Sequence, residues 1–330
     1  MTSLSMSSSD DLRGFLTKHR PLILDGGLAT LLEVQGAKLK GDPLWSARLL
    51  HTNPQAVRDA HQSFLLSGAD VISTATYQAS IPGFISHLKV NADRARELLM
   101  SGVLLAQESV KKFHSVCPGN RRVLVAGSIG PYGAFLHNGS EYSGAYADRM
   151  SIEELKDWHR PHINCLVAAG ADLIAFETIP SIKEAKAVVD LLREFPNSKA
   201  WLSFSCKDAQ CISDGSLFAD AVQVACRSLQ LLAVGVNCCP AADVEPLLQS
   251  AKSQLSQHAS WVVYPNSGEW DAEKGMWQTS GRTSAWAPAL SHMWVEQGAA
   301  LIGGCCQVGP DHIEELRIQL KGGKESLLDF

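Results

Sequence analysis

The stretch LIGGCCQVGP, residues 301–310, sets Cys305 and Cys306 behind two glycines at the end of an apolar run. Successive strand residues face opposite sides, so by alternation alone the two sulfurs cannot address one target. Gly303 and Gly304 can take backbone angles closed to other residues and let the strand end curl, which would turn both thiols toward one ion. Two more thiols, Cys238 and Cys239, end another apolar run, LLAVGVNCC from residue 231. Three cysteines from two such ends suit zinc, which prefers soft thiolates in a tetrahedral arrangement and, where catalytic, keeps one position open. Zn2+ held by three thiolates is already net negative. It is then a poor activator of water but keeps an incoming thiol deprotonated at neutral pH. The spacing is not a zinc-finger C-x2-C pattern, so this chemistry depends on a fold that brings the two chain ends together.

The elements that could do so are legible as short β-branched or apolar runs. They are LILDGG from residue 22, DVISTATY from 70, VLVAGSIGP from 123, DLIAFETIP from 172, AWLSFSC from 200, LLAVGVNCC from 231, WVVYPNSGE from 261 and ALIGGCC from 300. Helix-periodic segments such as NPQAVRDAHQSFLLSG and SIEELKDWHRPHINCLVAAG separate several of them, and strand alternating with helix predicts a parallel sheet. Three junctions nearly repeat, SGADVI, AGADLI and QGAALI. Each puts a glycine where a left-handed residue ends a helix before the next strand. Eight strand–helix units in 330 residues predict an α/β fold, a single (β/α)8 TIM-type barrel. An open dinucleotide-binding sheet would carry G-x-G-x-x-G in its first turn, and DGGLAT lacks that spacing.

Chemistry in such a barrel gathers at the carboxyl ends of the strands. Those ends are Asp25, Thr76 with Tyr77, Ser128 with Gly130, Glu177, Asn237 with Cys238, Asn266, and Cys305 with Cys306. Barrel strands are buried on both faces, so polar residues interrupting apolar runs at these ends are not what packing alone asks for. The expected organisation is an N-terminal segment, 1–20, partly helical; a barrel domain, 21–320; and a C-terminal tail, 321–330.

Composition narrows the function classes. The chain is 45% hydrophobic and 19% charged, with a formal net charge of -5 spread without blocks. A Lys/Arg cluster able to track a phosphate backbone does not occur, so no nucleic-acid partner is expected. The start, MTSLSMSSSDDLRGFLTKHR, has no signal-peptide core, and no 18-residue apolar run follows, so no membrane partner is expected and the cytoplasm is the expected location. Nine cysteines in a reducing compartment read as thiols or metal ligands before a disulfide framework.

These stretches carry a resemblance. LDGGLAT at 24–30, DPLWSA at 42–47, TYQAS at 76–80, GSEYSG at 139–144, FETIP at 176–180, GVNC at 235–238, VYPNSGE at 263–269 and GGCC at 303–306 resemble the homocysteine S-methyltransferase family, near its plant-type members that use S-methylmethionine. The likeness covers nearly the whole chain. It implies zinc bound by Cys238, Cys305 and Cys306, which leaves Cys239 a bystander. It also implies that Asp25 and Glu177 hold the amino group of L-homocysteine and that backbone N–H groups around Val236 and Asn237 hold its carboxylate. Two departures stand out: relatives usually follow GGCC with arginine where this chain has Gln307, and the loop after GVNC differs in detail.

The residue types agree with that reading. An α-amino acid whose thiol reaches a metal needs carboxylates for its ammonium and donors for its carboxylate. Methyl transfer from a sulfonium to a thiolate is an in-line displacement that needs no general base at carbon, so positioning and desolvation carry it. A sulfonium favours aromatic faces and acidic neighbours, and Trp45, Tyr77, Glu141 and Tyr142 are the donor-site candidates. The run Gly130 to Tyr146 is placed as a lid. S-methylmethionine is the expected donor, S-adenosylmethionine a slower one, and a monomer is expected rather than an obligate oligomer. Rivals are betaine as donor, selenocysteine as acceptor, or a non-enzymatic redox or zinc sensor with a Cys305–Cys306 disulfide. The sensor leaves Asp25 and Glu177 unexplained. DWHRPH at 157–162 reads as a helix surface, and Cys117, Cys165, Cys206, Cys211 and Cys226 as structural or incidental thiols.

Overall fold

A computed structural model describes residues 8–119, 121–271, 276–278 and 288–322. Its strands are β1 (Leu22–Ile23), β2 (Val71–Ser73), β3 (Leu124–Ile129), β4 (Leu173–Ile179), β5 (Ala200–Phe204), β6 (Leu231–Pro240), β7 (Ser260–Asn266), β8 (Glu269–Asp271), β9 (Met276–Gln278) and β10 (Ala299–Ile302). Eight of them form one parallel sheet in the order β1-β10-β7-β6-β5-β4-β3-β2. A parallel bridge between Leu24 and Val71 closes the two ends on each other, with Asp25 N–H donating to Val71 O at 3.0 Å and Asp70 N–H to Ile23 O at 2.7 Å. The expected TIM-type barrel is the fold.

Period-two alternation divides the strand side chains between two cores. Leu22, Leu24, Val71, Leu124, Ala126, Leu173, Ala175, Trp201, Val262 and Leu301 share one cluster, the filled interior of the barrel. Ile23, Ile72, Val125, Ile174, Leu202, Val234, Val236 and Ile302 belong to the larger cluster shared with the helices. The three predicted glycines do end their helices in left-handed geometry, with φ of 99° at Gly68, 84° at Gly170 and 100° at Gly298.

The helix Ser8–His19 closes the barrel at the end opposite the site. Its Leu12 and Leu16 join the interior cluster, and the Arg13 guanidinium donates to Leu229 O at 2.9 Å and to His258 O, just before β6 and β7. Strand seven ends at Asn266, the end read from the sequence, and residues 269–271 pair antiparallel with 276–278 as a separate ribbon not foreseen there. Among the described residues no helix is long and apolar enough to cross a membrane.

Candidate active site

The last turn of β6 decides which cysteine faces the rim. The register with β7 breaks between Asn237 and Pro240, and Cys238 takes a φ of 51°, a left-handed value uncommon outside glycine. This twist breaks the simple alternation. Cys238 goes to the rim, while Cys239, 1% exposed, packs into the outer core. From β10 the chain delivers the other two thiols. Cys305 N–H donates to Pro265 O at 2.9 Å, Cys306 N–H to Asn266 Oδ1 at 3.0 Å, and Ser267 N–H to Cys306 O at 3.0 Å.

The glycines ahead of the pair do not act as expected. Neither Gly303 nor Gly304 has a positive φ; the left-handed residue is Gln307, at 63°. Their service is close approach: a Cβ on Gly304 would lie 2.2 Å from Val308 Cγ1. Gln307 gives its N–H to Thr30 Oγ1 at 3.1 Å.

The sulfurs of Cys238, Cys305 and Cys306 all lie within 4.8 Å of one another. Cys238 and Cys305 are paired sulfur to sulfur with Cα atoms 5.6 Å apart, and Cys306 Sγ is 3.8 Å from Cys238 Sγ. The pairing is not the vicinal Cys305–Cys306 bond of the sensor alternative. With the thiols reduced, the trio fits a metal. Sulfurs on a tetrahedral ion at about 2.3 Å would sit about 3.8 Å apart, the spacing Cys238 and Cys306 already have. Burial pushes the Cys306 thiol up to about 12, so a cation is what would hold it as thiolate near neutral pH.

Two carboxyls face this corner. Asp25, 4% exposed, accepts from Ser73 N–H at 2.7 Å and from Ser73 Oγ at 3.3 Å. Burial pushes it up to about 8, with Glu177 raising it further against the Ser73 bonds. Glu177 accepts from Ser128 Oγ and is hydrogen-bonded to Tyr264, yet burial pushes it up to about 7. Two carboxyls sharing a dry site favour a cation bound between them.

Asn237, 1% exposed, is a cross-tie. Its Oδ1 accepts from Thr178 N–H and Ser203 Oγ, and its Nδ2 donates to Thr178 Oγ1, each at 2.8 Å. It thereby holds Thr178 at a φ of 60° next to Glu177. Val236 faces the outer core, in register with Phe204 and Val263, so only its backbone can serve the site.

Trp45, Tyr77, Glu141 and Tyr142 form a second group. Trp45 and Tyr77 meet edge to face at 6.1 Å. The Tyr77 phenol is pushed well up by burial and then by Tyr142 and Glu141, and it hydrogen-bonds Thr178. Tyr142 is 52% exposed, yet its phenol is pushed up by desolvation, then by Cys306 and Glu141, which ties this group to the thiols. Glu141 Oε2 is buried with no hydrogen-bond partner, and burial raises its carboxyl. A dry carboxylate beside aromatic rings is a cation-seeking arrangement.

Sequence reasoning missed Tyr264 and Ser203, whose hydroxyls meet each other and, with Trp201 Nε1 donating to Tyr264 at 3.0 Å, form the floor under Glu177. The signal was faint: a tyrosine in WVVYPN and a serine in AWLSF read as strand. The helix-surface reading of DWHRPH is corrected. His159 and His162 are buried, His159 against Glu184 and His162 against Trp158 O. They continue the buried face Leu155, His159, His162, Ile163, Leu166, a helical period the sequence already carried.

The profile of the homocysteine S-methyltransferase family matches residues 22–320. The homocysteine S-methyltransferase 1 of Zea mays is 42% identical over 317 residues, 91% of this chain and 94% of that one. A betaine-homocysteine S-methyltransferase of Drosophila melanogaster is 41% identical over 298 residues, 86% of this chain and 89% of that one. Overall identity therefore does not separate methyl donors. Among solved structures, the Escherichia coli homocysteine methyltransferase MmuM superposes with a TM-score of 0.82 in both its metallated and its oxidized form, at 36% identity, covering 93% of this chain and 98% of that one. With barrel, rim and profile in agreement over nearly its whole length, the chain belongs to the homocysteine S-methyltransferase family.

Proposed function

We propose that this enzyme transfers a methyl group from a small sulfonium, S-methylmethionine ahead of S-adenosylmethionine, to the sulfur of L-homocysteine, with zinc held by Cys238, Cys305 and Cys306. The observation that carries the reading is the placement of three convergent thiols between a carboxyl pair and an aromatic–acidic group. Zinc bound there would supply thiol activation, keeping the homocysteine sulfur deprotonated at neutral pH. Asp25 and Glu177 take the ammonium, and the Asn237 cross-tie fixes the backbone around Val236 and Asn237 that receives the carboxylate. Trp45, Tyr77 and Tyr142 turn ring faces to the donor cation, and Glu141 supplies the matching charge. The new S–C bond forms as the old C–S+ bond breaks, the electron pair staying on the departing sulfur. Each turnover on S-methylmethionine then yields two methionines, and no proton moves at carbon.

Donor choice follows from charge. S-methylmethionine presents a compact sulfonium near the thiols. Betaine presents a quaternary ammonium two bonds from a carboxylate, and the four donor-site side chains include an acid and no base. At saturating homocysteine, kcat/KM ranks S-methylmethionine first, S-adenosylmethionine below it and betaine last. Betaine at the head of that ranking would overturn the donor assignment while leaving the thiol acceptor standing.

A further inference from the structure

Glu184 stands on the helix Ile182–Leu191, directly after β4, and is wholly buried. It occupies the third helical position after Ser181, so S-I-K-E has the sequence form of a capping box. The preceding helix completes that motif: Ser151 and Glu154 bond each other's backbone N–H groups. At Ser181 the box is not made, and the serine oxygen takes the Lys183 N–H at 3.2 Å. The Glu184 carboxylate is turned instead to the segment that follows β3. Oε1 accepts from Tyr132 N–H at 2.9 Å, Oε2 accepts from the Tyr146 hydroxyl, and His159 Nε2 lies 2.8 Å from Oε1. Tyr132 and Tyr146 flank the short turn Ser140–Tyr142, which carries Glu141 and Tyr142.

We propose that Glu184 is a positioning residue for the methyl donor: it grips both flanks of the 132–146 segment and so sets where Glu141 and Tyr142 stand relative to the thiols. The inference deepens the donor-site reading above and rests on it. A buried carboxylate costs desolvation that must be offset by partners. Here these partners are the two flanks of one loop and a histidine, not the cap the sequence pattern offers. The loop is also braced close to Glu141 itself. Ser205 Oγ donates to Glu141 O at 3.0 Å, Gly144 N–H to Ser140 O at 2.8 Å, and Lys183 Nζ to Ala147 O at 2.6 Å. A Cβ on Gly133 would stand 2.6 Å from both the Glu141 nitrogen and the Tyr146 ring, so Tyr146 and the Glu141 backbone pack against the same glycine. Small displacements of positioning groups cost rate steeply.

The test compares Tyr146→Phe, which deletes one hydroxyl, and Glu184→Gln, which keeps size and one acceptor, with Glu141→Gln as the direct probe of the donor site. Zinc-loaded enzyme is assayed for the KM of S-methylmethionine and of homocysteine separately, each with the other saturating. Tyr146→Phe and Glu184→Gln raise the donor KM about tenfold, with the homocysteine KM and the metal content changed less than about twofold. If Glu141→Gln raises the donor KM and neither other variant does, the positioning role is wrong and the donor site stands. If Glu141→Gln leaves the donor KM unchanged, the donor-site reading fails first. Equal rises in both KM values with a lowered melting temperature would assign Glu184 a merely structural role and overturn the proposal. Should Glu184→Gln not fold, Tyr146→Phe alone decides.

Discussion

At the scale of single residues, the carboxyl pair proposed to take the ammonium is held in tension. Asp25 and Glu177 stand at about 8 and about 7 because burial disfavours their charge. Both folded-state values lie above the ordinary carboxylate range. The folded, ligand-free protein therefore binds more protons than the unfolded chain between about pH 4 and pH 8, and loses stability as pH rises through that window. An ammonium reverses the balance, since it binds the ionised pair. Homocysteine affinity is thus expected to fall as pH drops below about 8, by up to about tenfold per unit for each carboxyl that must ionise, in calorimetric titrations across pH 6 to 8.5. A flat profile would remove these carboxyls from ammonium recognition. Glu177→Gln separates the two effects. It raises the homocysteine KM about tenfold or more, as loss of a charge-assisted bond worth roughly 1.5 to 3 kcal/mol requires, keeps the metal, and raises the melting temperature of the empty protein at pH 8. Unchanged homocysteine binding would move the ammonium site elsewhere.

At the scale of elements, strand ends do the placing, and they do it with backbone angles that sequence patterns hide. All eight barrel strands were legible as short apolar runs, and three of them were also marked by glycines whose left-handed turns the chain adopts at 68, 170 and 298. The rim residues Asp25, Glu177, Asn237, Cys305 and Cys306 were legible as polar interruptions of those runs. Which cysteine of the Cys238–Cys239 pair turns inward was not, since it depends on a left-handed turn at a non-glycine residue. The buried floor of Tyr264 and Ser203 was hidden for another reason: single hydroxyls inside apolar strands look like packing until their partners are known. The ribbon of 269–271 with 276–278 was not foreseen, because three-residue strands carry too little alternation to be read. The Asn237 cross-tie gives an element-scale prediction. Asn237→Ala leaves the buried Thr178 N–H without its acceptor, costing about 1 to 3 kcal/mol of stability. Chemical denaturation measures it. A loss below about 0.5 kcal/mol would mean the tie between β4 and β6 is replaceable.

At the scale of the whole molecule, the barrel works as a scaffold with two unlike ends. One is sealed by an amphipathic helix through Leu12, Leu16 and Arg13. The other gathers thiols from β6 and from the segment after β10, separated by 67 residues of sequence, at a single corner. Among the described residues the helix Ser8–His19 makes that seal. Such an arrangement would make a bound metal a reporter of the entire fold, because neither segment alone carries all three thiols. Zinc per chain, measured by elemental analysis on freshly reduced protein, is the most direct test of the three-thiolate site. One zinc per chain is expected in the unaltered protein and in Cys239→Ala, and close to none in Cys238→Ala, Cys305→Ala or Cys306→Ala. Full zinc retained in Cys305→Ala, or lost in Cys239→Ala with the fold intact, would contradict it.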